Sequence, residues 1–305
     1  MADISGLLKK AEEFSCKVCE NESLDKHTSF KVGGKCKAFI DINDAKSCRE
    51  LVLYCRENNI DFIVMGKGSN LIVDDRGYNG AVLHFGSDYS GIELLENDTV
   101  FCKSGTSLSA LCLFALENSL SGLEFAWGIP GSVGGAVYMN AGAYGGEIAD
   151  VIISAEYIDL NGEIHAIVKE DMDFSYRHSC FSGGKGIILG ASFKLQKGKK
   201  EEIRAKMDEL MQRRRDKQPL EYPSAGSTFK RPNGSYASLL IEQCGLKGLS
   251  VGGAKVSEKH SGFVINTGNA SFNDIMELIE KVRKIVKEKT GYELECEPEI
   301  IRYRD

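Results

Sequence analysis

The segment GLEFAWGIPGSVGGA at residues 122–136 is unusually rich in residues that shape the backbone, because six of its fifteen positions are glycine or proline. It continues directly into VYMNAGAYGG at 137–146, with apolar side chains interleaved among the glycines. Glycines this dense allow a backbone to come into contact with a flat or charged ligand. The segment therefore predicts either a ligand-binding loop or a rigid buried loop between domains.

A second glycine turn, GKGSN at 66–70, follows the apolar run IDFIVM at 60–65 and precedes the apolar LIV at 71–73. Neither G-x-G-x-x-G nor G-x-x-x-x-G-K-[ST] occurs in the chain, which disfavours a Rossmann half and a P-loop. A turn of this kind exposes successive backbone N–H groups that form an anion site suited to a pyrophosphate. A plain tight turn explains the same letters equally well.

Glycine is abundant in the whole chain, at 33 of 305 residues. Residues 66–146 hold 15 of them and residues 226–268 hold 8, while prolines number only 5 and no Gly-X-Y period occurs. Collagen and low-complexity sequence are therefore excluded. The clustering predicts backbone cleared of side chains so that ligands can lie against it.

Length and charge set the broad class. A chain of 305 residues predicts about two domains. The net charge of −6 disfavours nonspecific nucleic-acid binding. Met1–Glu13 lacks the features of a signal peptide, and no run of about 18 apolar residues predicts a membrane span. We expect a cytoplasmic protein that binds neither membrane nor nucleic acid and has no obligate protein partner.

The ten cysteines are scattered, and only Cys16 and Cys19 form a C-x-x-C pair. A structural zinc site usually needs a second pair of Cys or His at short spacing, and none follows. The pair allows a zinc or redox role, but the pattern favours small apolar side chains in a reducing compartment and no bound metal.

Helical and strand patterns alternate along the chain, which predicts an α+β protein with a boundary near 195–200. Asn161-Gly162 predicts a hairpin turn between two strands. The predicted helices cover 3–20, 45–58, 107–118, 199–217, 236–244 and 273–290. The helix at 199–217 is strongly charged, and it is typical of a solvated face with i,i+4 ion pairs, although a basic helix can also bind nucleic acid.

Three further motifs carry polar chemistry: YRHS at 176–179, AGSTFKRP at 225–232 and EPE at 297–299. An arginine beside a tyrosine can bind a carboxylate, and a hydroxyl near cations can act as an acid or bind phosphate. Taken singly, the serine is typical of a turn and the glutamates of a solvated edge. Spacing alone does not join these segments.

Together, and in this order, the five segments resemble the UDP-N-acetylenolpyruvoylglucosamine reductase family. The resemblance runs from about Thr28 to Arg302, and GLKGLSVGGAKVSEKHSGFVINTGNAS at 245–271 is similar to the third-domain signature of the family. The short segment after YRHS lacks the tyrosine-bearing insertion of the longer subtype, so the chain resembles the shorter, second subtype.

The resemblance implies a two-subdomain FAD-binding fold, of the vanillyl-alcohol oxidase and p-cresol methylhydroxylase type, plus an α+β substrate-binding domain. It implies FAD subdomains at 1–86 and 87–197, a substrate domain at 198–295, and a C-terminal strand at 296–305 that returns to the active site.

FAD is expected to bind noncovalently, because the GKGSN turn contains no His or Cys for covalent attachment. The cofactor-binding positions implied by the resemblance are Gly66, Lys67, Gly68, Ser69, Asn70, Leu71, Gly128, Ile129, Pro130, Gly131, Ser132, Gly134, Gly135 and Ala136.

The implied reaction is reduction of UDP-N-acetylglucosamine enolpyruvate, with NADPH as the reductant of FAD. Arg177 matches the cation at the substrate carboxylate, Ser227 the proton donor to C2, and Glu299 the acidic residue at the same carboxylate. The implied substrate-binding positions are Tyr176, Asn140, Tyr144, Lys230 and Arg231.

Two positions depart from the family pattern. Arg302 comes three residues after the glutamate rather than two, so strand alternation predicts that it faces away from Glu299. Trp127 stands where a smaller residue is common, and it either packs in the protein or covers the flavin ring. Another oxidase or dehydrogenase of the same flavin fold, or a nucleotide- or RNA-binding protein, remains an alternative.

Overall fold

The structure is a computed structural model that describes residues 3–304. The chain forms two compact units, each assembled from separate segments of sequence. The first unit comprises the described residues up to Glu20, Ala38–Lys67 and Gly80–Arg214. The second comprises Asn21–Lys37, Gly68–Asn79 and the described residues from Arg215 onward. The units do not follow the predicted divisions at 86, 197 and 295, which stay predictions about functional domains.

Helices and short strands alternate through residues 3–304. The α-helices are α1 (Ile4–Glu13), α2 (Ala45–Glu57), α3 (Leu108–Glu117), α4 (Val133–Tyr138), α5 (Ile148–Val151), α6 (Lys200–Lys217), α7 (Ala237–Gln243) and α8 (Phe272–Thr290). The strands are β1 (Lys17–Glu20), β2 (Cys36–Asp41), β3 (Phe62–Met65), β4 (Leu71–Val73), β5 (Tyr78–His84), β6 (Ile92–Leu95), β7 (Thr99–Lys103), β8 (Leu120–Ser121), β9 (Gly142–Ala143), β10 (Gly146–Glu147), β11 (Ile152–Ile158), β12 (Ile164–Val168), β13 (Ile187–Lys194), β14 (Gln196–Lys197), β15 (Ser250–Val251), β16 (Ala254–Val256), β17 (Val264–Asn266) and β18 (Glu299–Ile301).

The first unit contains two main sheets. One has the strand order β1-β2-β5-β3, with β3 and β5 parallel, and packs under α1 and α2. The other is antiparallel with the order β12-β11-β13-β7-β6, and α3, α4 and α6 contribute to its apolar core. The asparagine–glycine turn predicted at 161–162 is confirmed, since it connects β11 to β12.

Local sequence explains why α2 begins and ends where predicted. Asp44 accepts a hydrogen bond from the Ser47 N–H at 2.6 Å, and the Ser47 hydroxyl accepts one from the Asp44 N–H, which is a capping box. Leu51, Val52 and Cys55 fall on one face and are buried. Capping and periodicity therefore agree, and such agreement makes a helix predictable.

The second unit is built around α8 and the antiparallel sheet β15-β16-β17. Its buried apolar cluster includes Leu278 and Ile279 from α8, and also Phe30 and Ile72 from the two N-terminal segments. The C-terminal strand β18 pairs in parallel with β4. Residues 299–301 thus form a strand in the C-terminal segment, and the predicted return of residues 296–305 to the active site stays a prediction.

Two element predictions were wrong in part. The helix predicted at 3–20 ends at Glu13, because Ser15 takes a φ of +57° and residues 17–20 then form β1. The glycine segment at 122–146 contains the helix α4, which its glycine content concealed. None of the helices within residues 3–304 has the length and apolar character needed to cross a bilayer.

Candidate active site

The two glycine segments meet in the first unit. Ser132 is the N-cap of α4 and receives a hydrogen bond from the Gly135 N–H. A Cβ built on Gly66 would lie 2.1 Å from Ser132 Oγ, so only glycine allows this approach. The start of the GKGSN turn therefore lies directly against the loop that opens α4.

Several glycines of these loops allow chain to pack on chain, and the expectation that ligands lie against this backbone stays a prediction. Gly128 has a φ of +84°, and its Cβ would lie 2.7 Å from Met211 Cε. A Cβ on Gly134 would lie 2.7 Å from Ser104 Cβ. Beside Gly226, in contrast, no atom lies within 4 Å of the Cβ position.

The GKGSN turn presents backbone donors in a row. Within residues 3–304, the backbone N–H groups of 67–70 have no hydrogen-bond acceptor. Gly68 takes a φ of +57°, and its Cβ would lie 2.1 Å from the His27 carbonyl oxygen. Successive free N–H groups next to the exposed Lys67 fit the pyrophosphate of a dinucleotide. The donor set of this turn therefore suits FAD.

Arg177 is held at the tip of a tight turn in the first unit. Ser175 and His178 exchange backbone hydrogen bonds of 3.2 and 3.1 Å, which leaves Tyr176 and Arg177 at the tip. Arg177 has a φ of +56°, and its Nη2 donates to the Gly142 carbonyl at 3.1 Å. Its guanidinium carbon lies 4.9 Å from the centre of the Tyr176 ring. The guanidinium is thus oriented before any substrate arrives.

Asn140, a predicted substrate-binding residue, is held by two hydrogen bonds within the protein. It is 0% exposed, its Nδ2 donates to Ser175 O at 3.0 Å, and its Oδ1 accepts from the Ala149 N–H at 3.0 Å. Asn140 therefore supports the turn that carries Arg177, and its role in substrate binding stays a prediction.

Tyr144 and two arginines of α6 form a polar cluster that the sequence analysis missed. The Arg213 and Arg214 guanidinium carbons lie 5.0 and 5.8 Å from the centre of the exposed Tyr144 ring. Arg214 is buried, and burial lowers the pKa of its guanidinium. Helical spacing could have predicted the burial of Arg214, because Met207, Leu210 and Arg214 share the buried face of α6.

Thr228, the neighbour of Ser227, and Glu299 belong to one hydrogen-bonded ladder in the second unit. The Glu297 N–H donates to Thr228 O at 2.9 Å, next to Ser227. Asn70 Nδ2 donates to Glu297 O at 3.3 Å, and the Glu299 N–H donates to Asn70 O at 2.9 Å. The structure therefore brings together the segment of the predicted proton donor, the predicted glutamate and the end of the GKGSN turn.

The two predicted phosphate-binding cations of this unit have neighbours of their own. Lys230 Nζ lies 3.6 Å from Glu295 Oε2, and the Arg231 guanidinium lies over the Tyr236 ring at 4.7 Å. Both side chains remain candidates for binding a substrate diphosphate. The positive charge of Lys230 is already partly balanced by Glu295.

The two departures from the family pattern also have structural neighbours. Arg302 lies over the Phe272 ring at 5.6 Å, and Trp127 packs against the apolar cluster of the first unit. Within residues 3–304, no group of three His, Cys, Asp or Glu side chains is placed to hold a metal ion.

Known proteins share this arrangement. Residues 36–167 match the FAD binding domain family, and residues 218–301 match the C-terminal domain of UDP-N-acetylenolpyruvoylglucosamine reductase. The reductase of that name from Clostridium novyi is 51% identical over 281 residues, which cover 92% of this chain and 91% of the relative. The chain belongs to the UDP-N-acetylenolpyruvoylglucosamine reductase family. It is accordingly an FAD-containing oxidoreductase.

Solved structures agree with this family assignment. The crystal structure of the reductase from Thermus caldophilus matches with a TM-score of 0.79 at 34% identity, over 94% of this chain and 98% of that one. Phl p 4.0202, a glucose dehydrogenase, matches with a TM-score of 0.53 at 14% identity, over 95% of this chain and 63% of that one, which shows a shared fold only. The predicted FAD-binding fold with an added α+β domain is confirmed.

Proposed function

We propose that this chain reduces UDP-N-acetylglucosamine enolpyruvate to UDP-N-acetylmuramate, a step of peptidoglycan precursor synthesis, with noncovalent FAD and with NADPH as reductant. The observation that carries the proposal is the ladder that joins the Ser227 segment, Glu299 and Asn70. A cytoplasmic location is proposed as well, and the ten free thiols support a reducing compartment.

When bound, FAD would supply hydride to C3 of the enol ether. Residues of the chain would stabilise the charge that results and donate the proton. Negative charge then builds at C2 and spreads into the substrate carboxylate, where it needs a donor oriented in advance. Arg177 fits this need, because its hydrogen bond to Gly142 O fixes the guanidinium. Tyr176 lies beside it and limits its movement.

Ser227 is the proposed proton donor to C2. A serine is a weak acid, but the carbanion-like acceptor is a strong base, and delivery at contact distance removes much of the entropic barrier. Gly226, with a φ of +77°, precedes Ser227, and no atom lies within 4 Å of its Cβ position. Glu299 would hold or share a proton at the substrate carboxylate.

The remaining cofactor positions follow from the donor set. The free N–H groups of 67–70 would hold the FAD pyrophosphate. The loop at 128–136 is proposed to bind FAD as well, because the family resemblance implies it and its Ser132 lies close to Gly66 at the start of the GKGSN turn. No nucleic-acid binding is proposed for α6, where Lys206 and Arg213 pair with the carboxylate of Glu209, as in a solvated helix face.

The test separates the two half-reactions. Purified protein should be yellow, NADPH should bleach the flavin, and the enolpyruvyl sugar nucleotide should restore its colour. Ser227→Ala should leave the bleaching rate unchanged and abolish the recovery, whereas the control Ser235→Ala should affect neither. A folded protein that cannot take up flavin would overturn the function. Recovery at the wild-type rate in Ser227→Ala would overturn the assignment of the acid.

A further inference from the structure

The strand that carries Glu299 is short and pairs with β4 alone, although Thr228 and Asn70 also hold Glu297 just before it. β18 contains three residues, and its register pairs Glu299 with Leu71 and Ile301 with Val73 of β4. Side chains alternate between the two faces of a strand, so a slip of one residue would turn Glu299 to the opposite face. Something beyond three paired residues must therefore fix the register.

Asp74, the residue after β4, forms hydrogen bonds with the C-terminal end of β18. Its N–H donates to Ile301 O at 2.9 Å, and its Oδ2 accepts from the Tyr303 N–H at 3.3 Å. The same carboxylate accepts three hydrogen bonds from Arg76, at 2.9 Å from the backbone N–H, 3.2 Å from Nε and 2.9 Å from Nη2. Asp74 thus holds both the last residue of the strand and the residue two beyond it.

Asp74 is itself fixed from the other side. Its carbonyl oxygen accepts from the Gly34 N–H at 2.9 Å and from the Gly77 N–H at 2.8 Å. It is 5% exposed, and the Arg76 guanidinium lowers the pKa of its carboxyl to about 2, so it is ionised at neutral pH. The Arg76 guanidinium also lies over the Tyr303 ring at 5.1 Å. The Asp74 carboxylate is therefore charged and buried, and hydrogen bonds from residues outside β18 hold Asp74 in place. We call Asp74 and Arg76 together the clamp.

We propose that Asp74 is a positioning residue for Glu299: by clamping β18 at Ile301 and Tyr303 it fixes the register that presents Glu299 to substrate. Asp74 lies three positions after Leu71, the partner of Glu299, or about 10 Å along the strand, so Asp74 acts through Glu299 and not by contact with the reacting atoms. This inference rests on the proposed role of Glu299.

The test uses the holoenzyme and the two half-reactions. Asp74→Asn keeps the shape of the side chain but turns an N–H₂ toward the donors of Arg76 and Tyr303. Flavin reduction by NADPH should proceed as in the wild type. Reoxidation by the enolpyruvyl substrate should slow by about 10- to 100-fold, the range expected for a small misplacement of a catalytic group.

A double-variant cycle separates positioning from general damage. If Asp74 acts through Glu299, Asp74→Asn combined with Glu299→Gln should reoxidise no more slowly than Glu299→Gln alone. If the two substitutions instead slow reoxidation by factors that multiply in the double variant, the inference is overturned. The control Asp159→Asn removes a carboxylate that accepts backbone N–H bonds in the β11–β12 hairpin of the first unit, and it should leave both rates unchanged.

The outcomes distinguish this inference from the proposed function. Normal reoxidation in Glu299→Gln would overturn the proposed role of Glu299, and the inference with it. Slow reoxidation in Glu299→Gln but normal reoxidation in Asp74→Asn would overturn the inference alone. If Asp74→Asn does not fold, Arg76→Gln, which removes an exposed side chain of the same clamp, replaces it in the cycle under the same criteria.

Discussion

Gly128 has a φ of +84°, and a Cβ built on it would lie 2.7 Å from Cε of Met211 on α6. Gly145 has a similar φ of +89°, but no atom lies within 4 Å of its Cβ position. The two positions therefore share backbone strain and differ in packing. Comparing them separates the two reasons why a glycine is required.

We expect Gly128→Ala to lower the unfolding free energy more than Gly145→Ala does. Left-handed backbone costs a non-glycine residue about 1–2 kcal/mol at both positions. Overpacking against Met211 adds about 1–3 kcal/mol at Gly128 alone. Urea unfolding of the apoprotein, followed by circular dichroism, measures the difference. Equal losses in the two variants would show that Met211 moves aside at no cost.

Single residues also show what sequence patterns miss. Arg177 lies at the tip of a tight turn and is half-buried, and Ser227, which its motif alone marks as a typical turn residue, is half-buried in an irregular segment. The family resemblance implies that Asn140 contacts substrate, but the sequence does not show that Asn140 is buried and hydrogen-bonded to Ser175 and Ala149. Burial depends on contacts distant in sequence, so no local pattern reports it.

Among the elements, β18 was predicted too long. The family resemblance implies a C-terminal strand at 296–305, but among the described residues of that range only Glu299–Ile301 forms one. Pro298 has no N–H to donate, and the Glu297 N–H is used by Thr228 O. Helices with caps and clear periodicity, such as α2, were predicted nearly to the residue, because their hydrogen bonds lie within the helix itself.

The clamp on β18 should make stability depend on pH in a specific window. The folded-state pKa of Asp74, about 2, lies below its ordinary value of 3.8, chiefly because of the hydrogen bond from Arg76. A lowered folded pKa contributes stability that is fully present above the unfolded value and is lost as pH falls through the folded value. The difference in unfolding free energy between wild type and Asp74→Asn should therefore be constant near neutral pH and narrow below about pH 4.

Urea unfolding in steps from neutral pH toward pH 3 measures this difference. The variant Ser235→Ala removes no ionisable group, so any difference it shows from wild type should not change with pH. A wild-type advantage over Asp74→Asn that stays constant down to about pH 3 would show that the carboxyl titrates normally and that its charge adds nothing to the clamp.

At the scale of the whole molecule, the second unit is discontinuous in sequence. It combines Asn21–Lys37 and Gly68–Asn79 with the chain from Arg215 onward. The sequence analysis expected contiguous domains, because periodicity and composition are read locally. The pairing of β4 with β18 joins residues more than 220 positions apart in the sequence, and no pattern within either segment predicts it.

We expect a fragment of residues 198–305 to lack a stable fold of its own. Its apolar cluster would lose Phe30, Val32 and Ile72, which are almost fully buried in the intact chain. β18 would also lose β4 and the clamp at Asp74. Each large buried apolar side chain contributes about 1.5–3 kcal/mol, so the loss of three approaches the whole stability of a typical domain.

Circular dichroism during heating measures this outcome, with a matched chain that restores the missing parts. In that chain, residues 21–37 and 68–79 are joined by flexible linkers to residues 215–305. The fragment should show no cooperative transition, and the linked chain should regain one, because only the linked chain contains β4 and the three apolar residues. A cooperative transition in the fragment alone would mean that α8 and the β15-β16-β17 sheet suffice, and that the N-terminal segments dock onto a unit already folded.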